Sequence, residues 1–232
     1  MLGVRRLVLF DIDGTLITDR GAAREAYADA LDAVYGYEGD LARYDFSGRT
    51  DPQITFMVLR DAGYSDEAIE DALPQLWEVY LTHLARNAAR PDQVHVLPGI
   101  RDLVAALASH AEVILGLLTG NIERGARIKL DSAALNETFP FGAFGSDSMH
   151  RERLPPIAVE RALAFCGRQF EGADVVIIGD SIFDVRCGVP HGATTIAVAS
   201  GKTPIERLRA ENPTHCFQDA RDPGLLKAIL DR

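Results

Sequence analysis

Leu7-Val8-Leu9-Phe10-Asp11-Ile12-Asp13-Gly14-Thr15 decides the fold of this chain. An unbroken apolar run ends in two carboxylates one residue apart, followed by a glycine that lets the backbone turn sharply. A continuous run, rather than an alternating one, reads as a strand buried on both faces, as in a parallel sheet. The pattern recurs downstream: Val113 to Leu118 runs into Thr119-Gly120-Asn121, and Val175 to Ile178 runs into Gly179-Asp180. In open parallel sheets, ligands sit beyond the carboxyl ends of the strands. Asp11, Thr119 and Asp180 are therefore expected to converge at one edge.

The chain between the first two runs reads as helical. Arg20 to Tyr35 places Ala23, Tyr27, Leu31 and Val34 on one face, and Ser65 caps a second run with Ile69, Leu73, Leu76, Tyr80 and Leu84 on one stripe. Pro74 interrupts that run, which predicts a kink or two helices. Trp77 is expected to pack inside this unit. Residues 87–99, with Pro91 and Pro98, read as a return linker. A helix over 99–109 follows, then an alternation of helices and strands, with Ala143-Phe144 and Thr194 to Val198 as further strand candidates. The fold class is α/β: a Rossmann-like parallel sheet with helices on both faces, over residues 1–15 and 93–232, plus an inserted helical unit at 16–92.

Composition narrows the function. The 232 residues are 47% hydrophobic and 25% charged, as in an ordinary globular protein. A net charge of -10 argues against nonspecific nucleic-acid binding. No apolar run is long enough for a bilayer, and the short run Leu7 to Phe10 lacks the order of a signal peptide. A cytoplasmic protein, with no membrane or nucleic-acid partner, is expected. Cys166, Cys187 and Cys216 form no Cys-x-x-Cys pair and read as reduced, at least half-buried residues. The six histidines make no i, i+4 pair, so none is assigned to metal or catalysis.

Acidic side chains gathered at one sheet edge repel each other unless a cation joins them, and hard oxygen ligands favour Mg²⁺. A helix opening at Thr119-Gly120-Asn121 offers backbone N–H groups to an anion. Phosphate beside Mg²⁺ is the economical reading. At these residues the chain resembles the haloacid dehalogenase-like (HAD) hydrolase superfamily, most of whose members are phosphatases. Asp11-Ile12-Asp13-Gly14-Thr15 resembles the family's first motif, Leu118-Thr119-Gly120-Asn121 its second, and Gly179-Asp180-Ser181-Ile182-Phe183-Asp184 its fourth.

The resemblance implies roles. Asp11 would be the nucleophile that forms an aspartyl-phosphate, its second oxygen touching Mg²⁺. Asp13 would protonate the leaving oxygen and then deprotonate water, its carbonyl also binding the metal. Thr119 and the N–H of Gly120 or Asn121 would hold the phosphoryl group. Asp180 would ligate Mg²⁺, and Asp184 would support the metal or the cation beside it. The third motif departs from the family, because His150-Arg151-Glu152-Arg153-Leu154-Pro155-Pro156 carries no lysine. Arg153 is assigned its role, with Arg151 as the alternative. Lys129, on the helix after Asn121, is read as solvent-facing.

The insertion resembles the helical cap of one HAD subclass. Its loop Phe46-Ser47-Gly48-Arg49-Thr50-Asp51 would face the pocket, which makes Arg49 a candidate specificity residue. The whole pattern most resembles the phosphoglycolate phosphatase-like branch, implying a Mg²⁺-dependent phosphatase of a small phosphorylated metabolite, monomeric or homodimeric. The alternatives are a β-phosphoglucomutase-like phosphomutase and, further off, a 2-haloacid dehalogenase. Dehalogenases of this family generally lack the second aspartate of the first motif, since a departing halide needs no proton; Asp13 counts against that reading.

Overall fold

The computed structural model describes residues 5–231. In chain order the elements are β1 (Arg6–Phe10), β2 (Ile17–Thr18), α1 (Ala22–Tyr35), α2 (Asp51–Asp61), α3 (Asp66–Ala88), β3 (His95–Val96), α4 (Ile100–Ala108), β4 (Val113–Leu118), α5 (Glu123–Ser132), β5 (Gly142–Ala143), α6 (Leu154–Cys166), β6 (Val175–Gly179), α7 (Ile182–Gly188), β7 (Thr194–Val198), α8 (Ile205–Ala210), β8 (His215–Phe217) and α9 (Pro223–Leu230). Among the described residues, six strands pair in the order β5-β4-β1-β6-β7-β8, every pair parallel.

The unbroken apolar run of β1 has its explanation in the two faces of this sheet. Leu7 and Leu9 point to one side, where they pack with Ile177 and with Leu154, Ala158 and Ala162 of α6. Val8 and Phe10 point to the other, against Leu117, Ile178 and residues of α4, α5 and α9. β1 lies between β4 and β6, with Phe10 in register with Leu117 and Ile178. That register brings the ends of the three strands, and the polar residues that follow them, to one edge.

The helical unit leaves and rejoins the core through a small antiparallel ribbon of β2 and β3. Its helices pack round an apolar cluster, including Tyr27, Leu31, Leu59, Ile69, Leu76 and Leu84, with Trp77 half-buried against it, and Ile122 of the core joins that cluster. Ser65 caps α3, its Oγ accepting from the Ala68 N–H at 3.3 Å. The sequence suggested a break at Pro74, but α3 runs through it as one helix. Pro74 and Glu70 are both exposed, so water can satisfy the Glu70 carbonyl that loses its helical partner. β3 falls within the expected linker, where it pairs with β2 instead of running free.

The three cysteines are free; Cys187 is buried and the others half-buried. Among the described residues, no helix is long and apolar enough to cross a membrane.

Candidate active site

Asp11 is the first residue past β1, and its N–H continues the ladder to β6 by donating to the Ile178 carbonyl at 2.9 Å. Asp180 is the first residue past β6. Carboxylate oxygens of Asp11, Asp180 and Asp184 lie within 4.8 Å of one another, and all three residues are buried. Gly14, at φ 83°, keeps this space open, because a methyl group there would strike the Asp180 carboxylate. Thr15 Oγ1 donates to Asp180 Oδ1 at 3.3 Å.

Crowding and burial make Asp11 and Asp180 hard to ionise. Burial pushes the Asp11 carboxyl up to about 7; Arg151 opposes, while Asp184 and Asp13 push further. Burial likewise holds Asp180 well above the ordinary carboxylate range, with Asp11 and Asp184 adding to it. A divalent cation with a preference for hard oxygen donors relieves this strain, and the donor set suits Mg²⁺.

The arginine against Asp11 is Arg151, not Arg153. Arg151 is buried, with Nη2 3.1 Å from Asp11 Oδ1 and also paired with Asp184. Its guanidinium further donates to the carbonyls of Gly48 at 3.1 Å and Leu118 at 3.3 Å. Arg153 is exposed. Both lie in a 3₁₀ turn, Arg151–Arg153, where residues two apart point about 120° away from each other, so only one of them can face the site. Asp184 also accepts from the Ser181 N–H at 2.9 Å and Oγ at 2.5 Å. It both caps α7 and holds Arg151.

On the β4 side, Asn121 Nδ2 donates to Asp13 Oδ2 at 2.8 Å and to Thr119 Oγ1 at 2.9 Å. Lys129 joins them, contrary to the solvent-facing expectation. It is 3% exposed, and its Nζ donates to Asp13 Oδ2 and Asn121 Oδ1, each at 2.7 Å. Against the cost of burial, Lys129 and the Ala23 N–H hold Asp19 below its ordinary range. Burial pushes Asp51 up to about 6, with Lys129 opposing. The signal for Lys129 was its position: it shares the buried face of α5 with Ala126 and Leu130.

The helical unit closes over this edge. Asp51 N–H donates to the Gly120 carbonyl and Asp51 Oδ2 accepts from the Ile122 N–H, both at 2.8 Å. Gly120 has no room for a methyl group, because the Arg49 carbonyl lies against it. Arg49 is half-buried, its Nε donating to the Asp45 carbonyl at 3.1 Å and its guanidinium 5.4 Å from the Phe183 ring centre. Between the sheet edge and this unit lies a cavity of about 620 Å³, lined by Asp11, Asp13, Thr119, Arg151, Lys129 and Arg49 among others.

The sequence profile of the haloacid dehalogenase-like hydrolases matches residues 8–198. The chain belongs to that family. Within it, the chain is similar to the phosphoglycolate phosphatase of Pseudomonas savastanoi pv. phaseolicola, 26% identical over 231 residues, spanning 95% of this chain and 80% of that one. Phosphoglycolate phosphatase 1 of Pseudomonas aeruginosa is 26% identical over 223 residues, spanning 94% and 78%. Among solved structures, a hydrolase from Pseudomonas syringae shares the fold with a TM-score of 0.70 at 22% identity, covering 94% of this chain and 95% of that one.

Three strand tips of this HAD hydrolase thus bring Asp11, Thr119 and Asp180 together, with Gly120 and Asn121 opening the segment before α5. Asp13 stands beside them, its side chain 42% exposed toward the cavity side. Two cations complete the group, Arg151 at Asp11 and Lys129 at Asp13.

Proposed function

We propose that this HAD hydrolase is a Mg²⁺-dependent phosphatase of a small phosphorylated metabolite, working through an aspartyl-phosphate at Asp11. The observation that carries the reading is the pairing at one sheet edge of a buried Asp11, held by Arg151, with a second, accessible acid, Asp13. The likeness to phosphoglycolate phosphatases supports the same reaction class.

Asp11, Asp180 and the main-chain carbonyl of Asp13 would hold Mg²⁺, with Asp184 bracing the site through Arg151. When bound, the ion neutralises charge on the nucleophile and phosphoryl oxygens. Asp11 attacks phosphorus, and the P–O bond to the leaving group breaks as Asp13 gives that oxygen a proton. Thr119 and the N–H groups of the segment after it hold the phosphoryl oxygens, and Arg151 offsets their charge. Asp13, now ionised, takes a proton from water as the water attacks phosphorus. Phosphate leaves and Asp11 is restored. Arg49, on the closing loop, contacts the part of the substrate that distinguishes one metabolite from another.

A screen of phosphorylated metabolites, 2-phosphoglycolate included, tests the reading. Inorganic phosphate appears with Mg²⁺ and stops appearing with EDTA. Chloride release from 2-chloropropionate without metal, and no phosphate from any ester, would replace the proposal with dehalogenation.

The raised Asp11 carboxyl also predicts a pH-dependent response to the ion. Its folded value of about 7 lies above the ordinary 3.8, so the folded state binds the proton more tightly than the unfolded state. The stability this contributes is fully present below the unfolded value and is lost as pH rises toward about 7. Mg²⁺ replaces the proton, so it should raise Tm more at about pH 8 than at about pH 5.5. Differential scanning fluorimetry at the two pH values checks this; an equal shift at both contradicts it.

A further inference from the structure

Lys129 is a buried cation that the steps above do not use. Its side chain is 3% exposed, and burial alone disfavours a charged ammonium. The charge is kept by what faces it. Asp13 Oδ2 and Asn121 Oδ1 each lie 2.7 Å from Nζ, whereas Asp19 Oδ2 is 4.0 Å away. Asn121 Nδ2 donates to the same Asp13 oxygen at 2.8 Å. Two donors, themselves joined by a hydrogen bond, therefore converge on Asp13 Oδ2. Both of these bonds spare Oδ1.

A carboxyl group on a free rotor offers either oxygen in many directions. Anchoring one oxygen from two sides fixes the plane of the group and commits the other to the reacting atoms. We propose that Lys129 is a positioning residue for proton transfer: with Asn121 it pins Asp13 Oδ2 and so presents Oδ1 to the leaving-group oxygen of a bound phosphomonoester. This rests on the phosphatase reading and deepens it. Lys129 itself forms and breaks no bond; the proton passes from Asp13 Oδ1 to the ester oxygen as the P–O bond breaks.

The consequence is a change in leaving-group dependence. p-Nitrophenolate departs as an anion and needs no proton. Benzyl alkoxide is far too basic to leave without one. The test uses the full chain with Mg²⁺ and a series from p-nitrophenyl through phenyl to benzyl phosphate. kcat/KM reports the first chemical step, transfer to Asp11. In Lys129→Met, kcat/KM for p-nitrophenyl phosphate stays within about threefold of the unsubstituted protein, while that for benzyl phosphate falls about 100-fold. In an Asp13→Asn background, Lys129→Met costs nothing further on benzyl phosphate, because the group it positions no longer transfers a proton.

Equal losses on both esters would show a merely structural lysine and overturn the inference, as would no loss on benzyl phosphate. If Lys129→Met fails to fold, Lys129→Gln, which keeps a donor near Asp13, carries the same comparison with a smaller slope change. Failure of the phosphatase reading looks different: the unsubstituted protein would release no phosphate from any member of the series.

Discussion

Asp11→Asn should abolish phosphate release, with kcat/KM falling by at least about 10⁴-fold, while the protein remains folded. The amide has the carboxylate's shape but is no nucleophile, so the covalent route closes. Stability should hold or rise. Burial, Asp184 and Asp13 all work against ionising Asp11, so the substitution removes a charge from a crowded acidic cluster. Arg151 keeps Asp184 as its partner. Phosphate release and thermal melting measured on the same preparation check both halves; lost activity with a lower Tm would mean that Asp11 is structural.

Arg151→Met should be the most damaging change outside the acids, costing about 3–5 kcal/mol of stability because buried Asp11 and Asp184 lose their shared partner. Burial works against the guanidinium, but Asp184 and Asp11 outweigh it and hold its pKa above the ordinary value. The variant that still folds, rescued by Mg²⁺ or by lower temperature, should lose about 10²–10³ in kcat through the missing charge on the phosphoryl oxygens. Arg153→Met, at an exposed position, should change stability by less than about 0.5 kcal/mol and leave turnover near normal. Urea unfolding and steady-state kinetics on the pair decide between the two arginines. Reversed results would return the role to Arg153.

The strand tips were legible because parallel strands buried on both faces leave continuous apolar runs, and those runs end where the chain turns polar. Phe10, Leu117 and Ile178 pair in register, so runs found separately in sequence finish side by side in space. The helical insertion was legible from its stripes, which pack into one apolar cluster joined by Ile122 of the core. The features that sequence pattern does not reveal are short or depend on geometry. β2 and β3 are two residues each, too short to show a period. Choosing between Arg151 and Arg153 required the pitch of a 3₁₀ turn, which pattern alone does not reveal. Lys129 reads as solvent-facing in the sequence because a charge suggests solvent. Ala126 and Leu130 beside it already marked the inward face of α5, and the nearby Asp13, Asp19 and Asp51 supply the compensating charge that burial demands.

The most direct measurement is the structure of the full chain crystallised with Mg²⁺ and beryllium fluoride, a mimic of the phosphoryl group on a carboxylate. The account predicts beryllium bonded to an Asp11 oxygen, fluorines met by Thr119 and Arg151, and one Mg²⁺ touching Asp11 and Asp180. Beryllium fluoride bonded to another residue, or a metal that binds without Asp11, would contradict it.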